Sequence, residues 1–309
     1  MKLINPSFEI LEQSPGLQGI YKQIELAGRT CYKSLDKITD DSAEGFVNRM
    51  IASKHYAMLE HGTVYLKVPS GEMFRDGGFM LASPTHYTSN MYYRRNYVDG
   101  CFYITTNYRY IIENKLEHWL THLCEPTEFH EKRVTVRFIT DIGVSREANR
   151  HRVNSIAEQS TRYCNYSKDK FGNQITVTNN NDIPNKEYFE SLRKWSRGDI
   201  QSPKSAFRTM CREIYNFKED QFSIVDLWIF GNAACEFAYM ELIKRGWTPQ
   251  QARRVLPLDL CTELVHTAFV SDWEHFFDLR AKGTTGAPHP DVKALAEPLM
   301  HSFEARHLV

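Results

Sequence analysis

Arg146-Glu-Ala-Asn-Arg150-His-Arg-Val-Asn-Ser155-Ile-Ala-Glu-Gln-Ser160-Thr-Arg-Tyr163 is the stretch around which the rest of the chain is read. It puts four guanidinium groups (Arg146, Arg150, Arg152 and Arg162) into eighteen residues of a chain whose formal net charge is zero, so the positive charge is local. A planar guanidinium matches phosphate or carboxylate with two parallel hydrogen bonds, which makes arginine the expected residue where a fixed anion must be oriented. Two carboxylates, Glu147 and Glu158, and the hydroxyls of Ser155, Ser160 and Thr161 are interleaved. A patch for polymer phosphate would not need them; a nucleotide read at both ends would. The competing reading is a solvated helix face laced with salt bridges.

Composition narrows the field. A length of 309 residues, 42% hydrophobic and 25% charged, is ordinary for a soluble protein with one large domain or two. The opening residues Met1 to Glu9 lack the apolar run of a secretory leader, and no stretch approaches the roughly 18 apolar residues that span a bilayer, so a cytoplasmic protein without membrane contact is expected. Seven cysteines, odd in number and without a Cys-x-x-Cys pair, indicate reduced thiols rather than a disulfide framework or a zinc site. Zero net charge argues against a dedicated nucleic-acid binder.

In chain order, residues 18–27 suit a short helix, and Asp41-Ser-Ala-Glu44 reads as a capping box opening a helix that ends near His55. Thr63 to Val68 alternates as a strand, which leaves His55, Ala57, Glu60 and His61 at a helix-to-strand junction, a usual location for site residues. Two imidazoles and one carboxylate there could also begin a metal site, but no further ligand lies close by, and no metal is expected. From about 70 to 132 the chain is rich in tyrosine (Tyr87, Tyr92, Tyr93, Tyr97, Tyr103, Tyr108, Tyr110), with a helical piece near Ile111 to Leu123. With Arg94, Arg95 and Arg109 these rings could stack on single-stranded nucleic acid; a lid or subunit contact is the reading preferred.

Val134, Val136 and Phe138 alternate as a strand, Ser145 can cap a short helix on which Arg146 and Arg150 share a face, and the motif runs out into a loop at Tyr163 to Gly172. Residues 176–199 read as polar surface with one amphipathic stretch, Tyr188 to Trp195. Helices are expected over 205–217 and 233–245, the second stopped by Gly246; Thr248, Pro249 and Gln251 then start another. After Pro257 a helix is expected from near Asp259 to Ala281, with Phe269, Trp273, Phe276 and Arg280 spaced 4, 3 and 4 along one stripe.

Arg150-His151-Arg152 followed after seven residues by Ser160 resembles the signature of the flavin-dependent thymidylate synthases, and Glu158, Arg162 and Tyr163 extend the likeness. His55, Glu60 and His61 match a His-x-x-x-x-Glu-His run of that family, Arg253 lies in a similar Ala-Arg-x-x-Leu-Pro-Leu run, and Leu279-Arg280 matches a Leu-Arg pair. The resemblance covers about residues 20–68 and 134–300 and treats about 70–132 as an insertion in a single domain, 1–309. It implies an α+β fold, an antiparallel sheet with long helices, assembled as a homotetramer. It further implies reductive methylation of dUMP to dTMP, with FAD, NADPH as reductant and 5,10-methylenetetrahydrofolate as one-carbon donor. Carried over position by position, Arg150, His151, Arg152, Glu158, Glu60, His61, Ala57, His275 and His55 would contact the flavin or folate. Arg146, Glu147, Glu158, Gln159, Ser160, Arg162, Arg253 and Arg280 would contact dUMP.

Departures from the pattern are visible too. Ala57 stands where a threonine is frequent, Glu147 where glutamine is usual, and Phe269 and Ser271 where asparagine and arginine are common. A cysteine that attacks C6 of uracil would be another route to the same product; Cys164, two residues beyond Arg162, is the one thiol near the motif. The route the resemblance implies is electrostatic, with Arg280 stabilising negative charge on the pyrimidine edge and Ser160 binding rather than attacking. The absence of Gly-x-Gly-x-x-Gly after a strand and of a phosphate-binding loop disfavours an ordinary dinucleotide-binding flavoprotein or a kinase. Two alternatives stay open: a related flavin-dependent pyrimidine hydroxymethylase, and a nucleic-acid-binding protein.

Overall fold

The computed structural model describes residues 1–75, 92–179, 183–195, 203–213 and 221–309. Tyr87, positions 180–182 and 196–199 of the expected polar stretch, and positions 214–217 of the expected 205–217 helix lie outside the described residues. Among the described residues there are nine strands: β1 Lys2–Ile4, β2 Ser7–Leu11, β3 Thr63–Pro69, β4 Arg94–Val98, β5 Cys101–Asn107, β6 Arg133–Asp141, β7 Ser155–Glu158, β8 Thr176–Thr178 and β9 Cys261–Phe269. The class is α+β. The chain forms two compact units, one of residues 1–7, 139–148 and 159–263, the other of 8–138, 149–158 and 264–309.

In the second of these, β3, β5 and β4 make an antiparallel sheet with Val64 opposite Thr106 and Leu66 opposite Ile104. A four-stranded sheet runs β2-β6-β9-β7, with β7 antiparallel to β9 and Ala157 opposite Val265. The alternation read from the sequence holds where it matters: Val64, Leu66 and Val68 are fully buried, with Ile20, Ile24, Phe46, Val47 and Leu59 in the same core. Burial of such side chains contributes about 1.5–3 kcal/mol each relative to exposure. Tyr93, Tyr108, Tyr110 and Trp119 belong to that core as well. Among the described residues of the tyrosine-rich segment four tyrosines are buried, and Tyr97 is exposed.

The other unit pairs β1 with β8 in parallel and packs the helices Asn185–Trp195, Pro203–Glu213 and Ile224–Lys244 around Tyr166, Val177, Leu192, Trp195, Met210, Ile229 and Tyr239. Ser223 and Asp226 cap the last of these helices reciprocally, which starts it nine residues before the expected Ala233. The Thr248–Gln251 start is as expected: Gln251 Oε1 accepts from the Thr248 N–H at 2.9 Å, with Pro249 at the first position. The Asp41–Glu44 box is not; Asp41 accepts from the Thr39 hydroxyl and gives the helix Ser42–Ala52 no side-chain cap.

Further expectations need correction. The segment from Asp259 is not helical to Ala281: β9 occupies 261–269 and the helix is Val270–Phe277, continued by a π-type turn over Asp278–Lys282. All nine residues of β9 are buried, so the alternation that marks a half-exposed strand is missing, and only β-branched content (Thr262, Val265, Thr267) signals extension. The expected helix near Ile111 to Leu123 is two pieces, Tyr108–Glu113 and a short turn Glu117–His122. Asp141 rather than Ser145 caps the helix Ile142–Ala148, accepting from the Val144 N–H at 2.7 Å. That helix stops before Arg150, so Arg146 and Arg150 share no helical face; β7 follows, and the loop expected at Tyr163 to Gly172 is present as turns with a short 3-10 turn, Asp169–Phe171.

Candidate functional site

Strand β9 and the ends of β6 and β7 organise the polar interior of the larger unit. His61, fully buried at the end of the turn Tyr56–His61, has Nδ1 at 2.9 Å from Thr267 Oγ1, which is 2.9 Å from Thr135 Oγ1. Burial first, then Arg133 and His266, lower its pKa to about 3, so the imidazole is neutral; its Nε2 has no hydrogen-bond partner. Arg133 donates from Nη1 to the Glu60 carbonyl at 3.0 Å and from Nη2 to Ser155 Oγ at 3.2 Å, and burial lowers its pKa to about 10. The Glu60 carboxylate pairs with Arg109 at 2.6 Å, while His55 and Ala57 are exposed.

The front of the arginine motif meets the far end of the chain here. His151, buried after the helix Ile142–Ala148, packs edge-on against Phe276 at 4.8 Å and 6.0 Å from the exposed His275. Arg280 Nε donates to His151 Nε2 at 3.1 Å, so the ring proton sits on Nδ1. Burial, then Arg280 and His275, lower the His151 pKa to about 4. Arg280 stands in the π-type turn, closed by Gly283 at φ +70°; a Cβ there would meet Pro288 Cδ at 2.8 Å and Gly286 O at 2.9 Å. Such turns recur at functional sites. Arg150 and Arg152 are exposed on either side of His151.

Phe269 and Ser271 are committed elsewhere. Phe269 is buried with the Arg94 guanidinium 4.2 Å above its ring, and Ser271 bonds through N–H and hydroxyl to Glu131. Neither supplies the contacts that asparagine and arginine would. A cleft of about 420 Å3 in the same unit, walled by Gln13, Tyr65, Cys124, Lys132 and Arg133, includes none of the residues selected from the sequence.

In the smaller unit the back of the motif forms a tight turn in which the Ser160 carbonyl accepts from the N–H of Tyr163 and of Cys164. Gln159 is buried, its N–H on the Glu263 carbonyl at 2.8 Å and its amide donating to Tyr166 OH at 3.2 Å. Arg162 donates from Nε to Gln250 Oε1 at 3.2 Å, and Arg253 from Nη1 to Thr161 Oγ1 at 3.2 Å. Both guanidiniums are exposed, and among the described residues neither has a carboxylate partner. Two cations held by an amide and a hydroxyl keep their charge for an outside anion. Arg146 and Glu147 lie on the last turn of the helix Ile142–Ala148. Cys164 is 1% exposed, with its sulfur in the core.

Sequence reading missed Asn149, Asn154, Arg133, Gln250 and His266. His266 is fully buried in β9, where the one available signal, an imidazole inside an apolar run, was absorbed into an expected helix.

No curated protein matches the chain at a significant level. Solved structures similar to it include a UMP/dUMP methylase PolB from Streptomyces cacaoi bound with 5-Br dUMP and the same protein bound with 5-Br UMP. Each is 14% identical with a TM-score of 0.40, covering 99% of this chain and 93% or 92% of the other. The family model described as thymidylate synthase complementing protein matches residues 104–307, beginning inside the 70–132 segment. That match takes in both parts of the arginine motif, Arg253 and Arg280, and extends over well more than half of the sequence: the chain belongs to the thymidylate synthase complementing protein family.

Proposed function

We propose that the chain is a flavin-dependent thymidylate synthase converting dUMP to dTMP. The observation that carries this reading is the 3.1 Å bond between Arg280 and His151, residues 129 apart in sequence. Family resemblance assigns one to the pyrimidine and the other to the flavin, and the fold makes them neighbours.

The residues suit FAD in their donor chemistry. A flavin is a neutral heterocycle edged by carbonyls and N–H groups, and the chain offers it a neutral His151 with a proton on Nδ1 and the exposed guanidiniums of Arg150 and Arg152. When bound, FAD with NADPH and 5,10-methylenetetrahydrofolate supplies the reducing equivalents and the one-carbon unit. The chain's own part is positional and electrostatic. Arg162 and Arg253, with Ser160, hold the dUMP phosphate; Glu158, Gln159, Arg146 and Glu147 hold the rest of the nucleotide. Arg280, oriented by His151, stabilises negative charge that develops on the pyrimidine, an effect worth several kcal/mol in a site shielded from water. No sulfur nucleophile is needed, in keeping with the burial of Cys164. His55, Ala57, Glu60, His61 and His275 complete the proposed flavin and folate contacts.

Assembly as a homotetramer belongs to the same reading. The helix Ile224–Lys244 leaves Ile224 87%, Leu227 47% and Phe237 50% exposed, apolar surface suited to another subunit. The second reading, hydroxymethylation of a pyrimidine nucleotide, rests on Glu147, a carboxylate where an amide is usual. The experiment is a visible spectrum of the purified protein, with NADPH oxidation followed with and without dUMP and the product weighed by mass spectrometry. Flavin bands, dUMP-dependent oxidation and dTMP support the synthase; a product one oxygen heavier supports the second reading. A colourless protein that takes up no FAD overturns both.

A further inference from the structure

We infer that His266 is a positioning residue that acts through Asn149 to fix the carboxylate of Glu158 where the proposed function needs it. The inference rests on the reading of Glu158 as a nucleotide contact, and its geometry lies within the larger unit.

Four side chains form one line. Asn149 Nδ2 donates to Glu158 Oε2 at 3.0 Å; Asn149 Oδ1 lies 3.3 Å from His266 Nε2; His266 Nδ1 lies 3.3 Å from Asn154 Nδ2. The carboxylate end sets every donor and acceptor behind it. Because Glu158 can only accept, Asn149 must turn its NH2 toward it and its carbonyl toward His266. His266 must then carry its proton on Nε2, and Nδ1 must accept from Asn154. All three bonds point the same way, and such chains polarise one another.

The packing leaves His266 no alternative. It is fully buried in β9 between Phe138, at 5.8 Å and edge-on, and Trp273, at 6.4 Å, and burial keeps it neutral. A buried polar side chain is costly unless bonded, so an imidazole in this strand is explained by the two amides it joins. Asn154 is buried as well and leaves Oδ1 without a partner, a sign that its NH2 is committed to His266. Glu158 ends β7, whose register against β9 places Ile156 opposite His266, so Glu158 and His266 sit on one strand pair.

The test compares His266→Gln with His266→Leu in the full-length, flavin-loaded protein. Glutamine carries its Nε2 the same number of bonds from Cβ as histidine and keeps a donor for Asn149; leucine fills the space without one. Crystal structures of the unliganded proteins should keep Glu158 on Asn149 in the wild type and His266→Gln and show it turned away in His266→Leu. Calorimetric titration with dUMP should give His266→Leu roughly 10-fold weaker binding, the loss expected for a bond to a charged group, and His266→Gln an affinity within about 3-fold of wild type. If His266→Leu does not fold, judged by circular dichroism, Asn149→Ala cuts the same line and should give the same displacement and loss. An unmoved Glu158 in either broken variant overturns the inference, as does unchanged dUMP affinity in a wild type that binds it. A wild type that binds no dUMP overturns the functional reading instead, while the crystal structures still decide whether His266 positions Glu158.

Discussion

Residues 149–158 and residues 159–163 are two halves of one motif; both expose arginines, and the first also buries a neutral imidazole. In the first half His151 is buried, neutral and hydrogen-bonded to Arg280, and the interior around it holds two more neutral imidazoles, His61 and His266. In the second half Arg162 is exposed and, like Arg253, is steadied by a neutral partner. Desolvation strips protons from imidazoles but does not discharge a guanidinium at the surface. One sequence pattern therefore provides a buried neutral imidazole, flanked by the exposed Arg150 and Arg152, and next to it an exposed guanidinium at Arg162.

Acidification probes the buried half and has the largest expected effect. His61, His151 and His266 have folded pKa values of about 3, 4 and 3, below the ordinary 6.5. Between those limits the unfolded chain binds more protons than the folded one, so stability is complete above about pH 6.5 and falls as pH drops toward 4. Each histidine contributes about 1.4 kcal/mol per pH unit in that window. Urea denaturation at about pH 7.5 and 5.0 measures the slope; equal stability at the two would mean that the imidazoles take up protons in the fold as they do in the unfolded chain, and would break the comparison.

Arg280→Ala tests the same half by activity. Loss of one preorganised cation is expected to lower dTMP formation by about 10²–10³-fold, with a smaller change in the KM for dUMP. Turnover within a few-fold of wild type would remove the electrostatic role. Arg162→Ala and Arg253→Ala sharpen the other half: each should weaken dUMP binding by roughly 10- to 100-fold, and leave deoxyuridine binding and the melting temperature unchanged, because the side chains are exposed and are proposed to serve a phosphate. A large fall in melting temperature would make them structural. Gln251→Ala, which removes the cap beside Arg253, should cost about 1 kcal/mol, near 2 °C in melting temperature, by calorimetry.

Short-range features were legible in the sequence. The β3 alternation, the Thr248–Gln251 start and the helix Asn185–Trp195 depend on neighbours within a few residues, and local spacing reports them. The reading failed where burial on both faces erased the pattern, as in β9, and where a side chain had two uses. Asp41 looked like a helix cap and serves Thr39 instead; Ser145 looked like a cap and lies inside the helix that Asp141 begins. In the 70–132 segment, tyrosines expected as half-buried rings of a lid or subunit contact are core where Tyr108 and Tyr110, on the helix after β5, and Tyr93, before β4, pack with Val64 and Leu66.

The sequence alone determined the family and the residue types of the candidate site, since a pattern of arginines, histidine and serine at fixed spacing survives in the order of residues whatever surrounds it. Tertiary structure alone decided which of these groups are charged and what holds them. Burial and long-range partners set an imidazole's pKa and a carboxylate's orientation. The partners here, Arg280 for His151 and His266 for Asn149, stand 129 and 117 residues away.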